Sequence, residues 1–114
     1  MAKLTITRGT TYTIGLNYQR SGVATSLVGA TVRFTMKSAE YDTDTDDSDA
    51  SVIKNVTTGD ADGAATITIN PSDTATLTPG KYYYDIKVQE SGGSIYKVDE
   101  GTVVLDGSPT NRLS

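Results

Sequence analysis

A chain of 114 residues with 10 Lys and Arg against 14 Asp and Glu has room for one domain with a modest core and carries a net charge of −4. Cysteine and histidine are both absent, which excludes disulfides, thiolate metal sites and every triad that rests on imidazole. The cations are scattered singly rather than in a stripe, so neither nucleic acid nor an anionic membrane is an expected partner.

Leu4 and Ile6 alternate with Lys3, Thr5 and Thr7 and predict a short first strand that breaks at Arg8-Gly9. The stretch before it has no apolar signal-peptide core, and no apolar run reaches membrane-spanning length, so synthesis and folding are expected in a cytoplasm. In the second strand Tyr12, Ile14, Leu16 and Tyr18 face inward, with Thr11, Thr13, Gly15 and Asn17 outward. Residues 19–30 carry turn chemistry at Ser21-Gly22 and an apolar pair, Leu27-Val28, expected to cover one end of the core. Val32, Phe34 and Met36 face inward from a third strand over residues 31–37.

Residues 38–49, SAEYDTDTDDSD, have no apolar period and predict a loop. A fourth strand over 51–57 uses Val52, Ile53 and Val56. Residues 59–63, with Asp62-Gly63, predict a hairpin turn into a fifth strand carrying Ala65, Ile67 and Ile69. Asn70-Pro71-Ser72-Asp73 can cap one helical turn running through Leu77. After Pro79-Gly80 comes the central strand: Tyr82, Tyr84, Ile86 and Val88 on one side, Lys81, Tyr83, Asp85 and Lys87 on the other. A Leu and a Pro shortly before Tyr82 suggest the tyrosine corner of immunoglobulin-like sandwiches, in which the hydroxyl bonds to backbone upstream. Beyond a turn at Ser91-Gly92-Gly93, the last strand changes phase between Tyr96 and Val98 and the pair Val103 and Leu105, which places a bulge at Gly101. The expected architecture is all-β: an immunoglobulin-like antiparallel β-sandwich of about seven strands over residues 1–107, with one short helical turn and an extended tail over 108–114. A small barrel is the rival.

Asp42, Asp44 and Asp46 have the first, third and fifth spacing of a calcium loop. Asp47 then stands where that loop needs Gly, and Ile53 where it needs a bidentate Glu, so a solvated loop is the favoured reading and no cofactor is implied. Contact of the loop with a basic groove on a partner is a further reading. Asp85, Asp99 and Glu100 could approach one another on neighbouring strands as a carboxylate pair does in glycoside hydrolysis, but alternation places them on an exposed sheet face, and no catalytic residue is assigned. Neither GxxxxGKS/T nor GxGxxG is present. Of the possible sugar platform Tyr82, Tyr83 and Tyr84, only Tyr83 is expected to be exposed. The sequon Asn55-Val56-Thr57 is read as chance.

The assembled pattern, LTITRGTTYTIGLNY, LVGATVRFTMK, ATITINPSDTATLTPGKYYYDIKV and YKVDEGTVVLDGSPTNR, resembles the small β-sandwich family of tailed-bacteriophage virion proteins, best known from the N-terminal domain of baseplate upper proteins of the BppU type. Its markers are Arg8-Gly9, the run Leu27-Val28-Gly29-Ala30-Thr31-Val32, residues 73–77 before Pro79-Gly80, and Tyr82, Tyr84 and Asp85 after it. The resemblance implies a non-enzymatic docking module of the tail, baseplate or fibre-attachment apparatus, located in the virion and assembled in the cytoplasm of a bacterial host. In that family long helical or fibre segments follow the domain. A chain that stops after it suits an accessory or a decoration (cement) protein on the capsid equally well. A carbohydrate- or host-surface-binding module is the alternative of another class. The expected partners are tail, baseplate or capsid subunits and further copies of the chain. Docking is expected through Ala2, Lys3, Leu4, Thr5 and Ile6 and through Ser108, Pro109, Thr110, Asn111, Arg112 and Leu113.

Overall fold

Alternation of apolar and polar side chains becomes two packed layers in the computed structural model, which describes residues 2–38 and 50–107. The strands are β1 (Ala2–Thr7), β2 (Tyr12–Asn17), β3 (Gln19–Arg20), β4 (Val23–Ala24), β5 (Thr31–Lys37), β6 (Val52–Val56), β7 (Ala64–Ile69), β8 (Gly80–Gln89) and β9 (Ile95–Asp106), with a four-residue helix α1 (Pro71–Thr74) before β8. One sheet has the order β1-β9-β8-β5-β6, and β2 pairs with β7 in the other layer. The β8 strand lies in the middle of the larger sheet, as its pattern requires. The ladders are antiparallel except for β1, which runs parallel to β9. The protein is thus an all-β, immunoglobulin-like sandwich.

Phe34, Met36, Ile67, Ile69 and Val88 from the two layers are fully buried in a common core with Tyr18, Ile86, Val103 and Leu105. The rings of Phe34 and Tyr84 stack at 5.7 Å between centroids. The end of the sandwich near α1 is tied by polar contacts. The Tyr82 hydroxyl donates to the Thr78 carbonyl at 2.7 Å, which is the tyrosine corner. Buried Thr74 accepts the Gly9 amide at 2.9 Å, and Arg8 donates to the Leu77 carbonyl, so the β1–β2 turn is fastened to the segment leading into β8. Asp73 accepts the Asn70 amide at 2.6 Å and the Lys54 ammonium at 2.7 Å, which holds α1 against β6.

Five sequence expectations need correcting. The segment 19–30 is not only a connection: β3 and β4 form a minimal hairpin, because Ser21 and Gly22 both take positive φ (53° and 78°), the geometry of a tight two-residue turn. The turn over 59–63 does not close a hairpin. It carries the chain from β6 in one layer to β7 in the other, with the Asp60 carboxylate accepting the amides of Asp62 and Ala64 and the Asp60 carbonyl accepting that of Leu27. The bulge in β9 lies at Val98 rather than Gly101. Ile86 faces Asp99 while Lys87 faces Lys97, so Val98 is the extra residue. Gly101 must stay in register because it faces Tyr84 on one side and opens the β1 ladder on the other. The Leu27-Val28 pair is split, Leu27 being fully buried and Val28 exposed, and Ile53 also faces outward.

Candidate functional site

β9 is longer than either neighbour on its free side requires. The β1 ladder runs from Ala2 opposite Gly101 to Thr7 opposite Asp106. Among the described residues, the first half of β9 therefore has β8 as its one neighbour and an open backbone edge. A groove of about 500 Å³ follows that half, with Leu16, Tyr18 and Arg20 on one wall and Tyr96, Lys97 and Val98 on the other. Tyr96 of its wall and Ile95, next to it in the chain, are both exposed.

Polar groups at the head of the groove form one network. Tyr18 is buried, yet its hydroxyl reaches Glu90 Oε2 at 2.8 Å. Arg20 lies 3.4 Å from the same carboxylate, donates to the Tyr96 hydroxyl at 2.9 Å and holds its guanidinium carbon 4.3 Å from the centre of that ring. Burial first, and then the hydrogen bond to Glu90, push the Tyr18 hydroxyl from 10.0 up to about 12. With its carboxylate already engaged by Tyr18 and Arg20, Glu90 is suited to fixing the β2–β3 corner against the end of β8. Tyr18 and Arg20 lie 70 or more positions from the Glu90 and Tyr96 groups they contact, and nothing local in the sequence marks the four as a group.

The carboxylates singled out above are dispersed. Asp85 and Glu100 face each other across β8 and β9 on the outer surface. Asp99 instead turns to the Tyr84 hydroxyl at 2.9 Å, a consequence of the bulge, and burial together with that bond pushes the Tyr84 hydroxyl well above its ordinary value. Glu100 pairs with Lys97 at 3.0 Å. Among the described residues no group of three acidic side chains is placed to hold a metal ion. Asp42, Asp44 and Asp46 lie outside the described residues. Tyr82 and Tyr84 are core, and half-buried Tyr83 has the Lys81 ammonium 5.3 Å over its ring, so the three tyrosines form no open shelf.

Of the docking residues expected near the start, Ala2, Lys3, Leu4, Thr5 and Ile6 all belong to β1, an edge strand of the larger sheet. Ile6 is buried and Leu4 packs against the core, so what this strand offers outward is backbone together with Lys3 and Thr5. Ser108, Pro109, Thr110, Asn111, Arg112 and Leu113 lie outside the described residues. No helix among the described residues is long and apolar enough to cross a membrane.

No protein-family model matches the chain. No curated protein matches it either. Among solved structures, the chain is similar to murine CRIg, at 14% identity over 93% of this chain and 92% of that one, with a TM-score of 0.37. It is also similar to AggA, the major subunit of aggregative adherence fimbriae type I from Escherichia coli, at 16% identity over 95% and 91% of the two chains, with a TM-score of 0.29. At such scores the assignment of the fold rests on the strand pairing described above, not on these likenesses.

Proposed function

We propose that this protein is a non-enzymatic structural component of a tailed-bacteriophage particle, a module that docks on neighbouring subunits of the tail, baseplate or fibre-attachment apparatus. The observation that carries the reading is the open edge of β9 beside its groove, a place where an extended segment of a neighbour adds main-chain hydrogen bonds while its side chains enter the groove. The resemblance of the strand-forming sequence to phage virion domains supplies the biological setting. Repetition of such a contact around a symmetric particle turns modest affinity into firm attachment. A decoration protein on the capsid would use the same edge, and the place of the density separates the two.

The test is incorporation. Particles assembled with the full chain are expected to contain it at a fixed stoichiometry, and electron microscopy of particles with and without it locates the difference at the tail or the head. A chain ending at residue 107 is expected to melt at the same temperature and to co-purify at reduced occupancy. Full occupancy removes residues 108–114 from docking. A chain that never enters particles, or that binds glycans on an array while absent from them, sinks the reading in favour of a surface-binding module.

A further inference from the structure

The two strands of the smaller layer pair residue for residue, Tyr12 with Ile69, Ile14 with Ile67 and Leu16 with Ala65, yet they are not equally covered. On β7 these inward side chains are buried, and on β2 they are only half-buried. What flanks each strand accounts for the difference. β7 has β6 beside it. β2 lies on the side of β9, where the groove runs between Leu16 and Val98 and Arg20 reaches Tyr96. Among the described residues no strand follows β2 in its layer. Leu4 of β1 and Val98 of β9, on the same side of the sandwich, are likewise only partly buried where they pack on the core. Five apolar side chains from both layers thus border one open side.

The backbone along that side is ready to pair. The Tyr18 amide donates to the Gly63 carbonyl at 2.7 Å, continuing the β2–β7 register. In an antiparallel ladder alternate residues turn their amide and carbonyl to the partner, so Tyr12, Ile14 and Leu16 serve β7 and Thr13, Gly15 and Asn17 aim outward. Proteins blunt such edges with charge, proline or a bulge. The larger sheet follows this rule, with Lys3 on β1, Lys54 on β6, and Lys97, Glu100 and the Val98 bulge in the open half of β9. β2 has none of these devices. It has no proline, its register with β7 is continuous, and residues 9–19 contain no charged side chain. Gly15 is a second sign. It takes no positive φ, and a Cβ added to it meets nothing within 4 Å, so the chain itself does not require glycine there. Glycine in mid-strand often marks the close approach of another backbone.

We infer that the free edge of β2 receives an extended, uncharged segment of a neighbouring protein as a third strand of the smaller layer, with apolar side chains at every second position. The ladder specifies the form of the occupant, since outward amides and carbonyls at alternate residues are matched by another strand about 4.8 Å away. Period two specifies the inward side, where apolar groups would cover Tyr12, Ile14, Leu16, Leu4 and Val98. Charge specifies the rest: with residues 9–19 and 63–72 uncharged, a carboxylate or ammonium brought against this layer would find no counter-charge on it. That a neighbour's chain supplies the segment rests on the docking role proposed above. The receiving strand and the chemistry of the segment do not.

Amide hydrogen exchange of the full chain, followed residue by residue, tests it. In the chain alone the amides of Thr13, Gly15 and Asn17 are expected to exchange freely while those of Tyr12, Ile14 and Leu16 are protected. The probe is an end-blocked peptide of the β7 sequence, AATITI, which is uncharged and already has the pattern that pairs with β2. As it is added, the three outward amides are expected to slow by about tenfold or more, and a control peptide with Asp at both Ile positions is expected to leave them unchanged. Thr13→Pro deletes an amide that serves no bond within the chain, so its melting temperature should hold while the peptide binds about tenfold more weakly or worse. The first measurement uses the natural chain and stands even if that variant fails to fold. Outward amides already protected in the dilute chain overturn the inference, and if a chain ending at residue 107 loses that protection, its own tail is the occupant. Protection that grows with the concentration of the chain alone overturns it in favour of a second copy. A peptide that slows amides of β9 and not of β2 overturns it while leaving the docking role intact. Protection at β2 in a protein that never enters particles upholds the strand site and removes only the particle as its setting.

Discussion

On the inner face of the larger sheet, Val32, Phe34 and Met36 of β5 meet Val88, Ile86 and Tyr84 of β8 in strict register, every one of them buried. On its outer face the same two strands set Arg33 beside Lys87 and Lys37 beside Tyr83. The first set answers to volume: each side chain is enclosed, and any missing atom leaves space that neighbours refill only in part. The second answers to charge, and solvent absorbs most of what changes there. One strand therefore carries two unrelated patterns on alternate residues, enclosed volume inward and solvated charge outward.

The sharpest way to break this comparison is to truncate adjacent residues. Phe34→Ala removes a fully buried ring stacked on Tyr84 and is expected to lower stability by about 3–5 kcal/mol, whereas Arg33→Ala is expected to stay within about 0.5 kcal/mol. Urea midpoints of the two variants decide it. Comparable losses would mean that the outer face supports the fold after all.

The inner face was largely legible beforehand. Period two in YYYDIKV and VRFTMK states which side chains are buried whatever the strand order, and the tyrosine corner could be placed because it is a local contact, four residues from Tyr82 to Thr78. The outer face was not, because neighbours across strands depend on register. Lys87 meets Lys97 only because Val98 is bulged out, whereas the phase change alone points to Gly101. The same holds for Tyr18, Arg20, Glu90 and Tyr96, whose network needs β2, β3, β8 and β9 all in place. The hairpin expected at residues 59–63 failed for a related reason. Asp62-Gly63 specifies a tight turn, but whether the strands on either side then pair is settled by what else they pack against.

That turn gives the next test, by contrast with the one between β8 and β9. Gly63 and Gly93 both take positive φ, at 85° and 98°. A Cβ on Gly93 meets nothing within 4 Å, but one on Gly63 lies 2.6 Å from the Tyr18 carbonyl and 2.8 Å from that of Thr25. Gly93→Ala is expected to cost about 1–2 kcal/mol through backbone strain alone. Gly63→Ala is expected to cost about 2–4 kcal/mol, since the Tyr18 carbonyl it strikes also accepts the Thr25 amide and the Gly63 carbonyl itself accepts the Tyr18 amide. Equal melting temperatures for the two variants would show that the layer crossing has slack that these distances deny it.

The smallest effect concerns the buried side chain at the corner between β2 and β3, which serves both demands. Tyr18 packs its ring in the core and presents its hydroxyl to Glu90. Tyr18→Phe keeps the ring and deletes the bond, for an expected loss of about 1–2 kcal/mol at neutral pH, limited because Arg20 remains beside the carboxylate. The dependence on pH separates this bond from packing. With the folded hydroxyl at about 12 and the unfolded one at 10.0, the unfolded chain gives up this proton first as the pH rises. The folded state then holds more protons, so the Tyr18 contribution is whole below pH 10.0 and drains away on the way to about 12. Tyr84, shifted the same way, adds a second decline that the variant retains. The gap in stability between the natural chain and Tyr18→Phe should accordingly narrow above pH 10.0, as read from urea midpoints. A gap that stays constant through that range would mean that the hydroxyl ionises as freely folded as unfolded, and that Glu90 does not hold it.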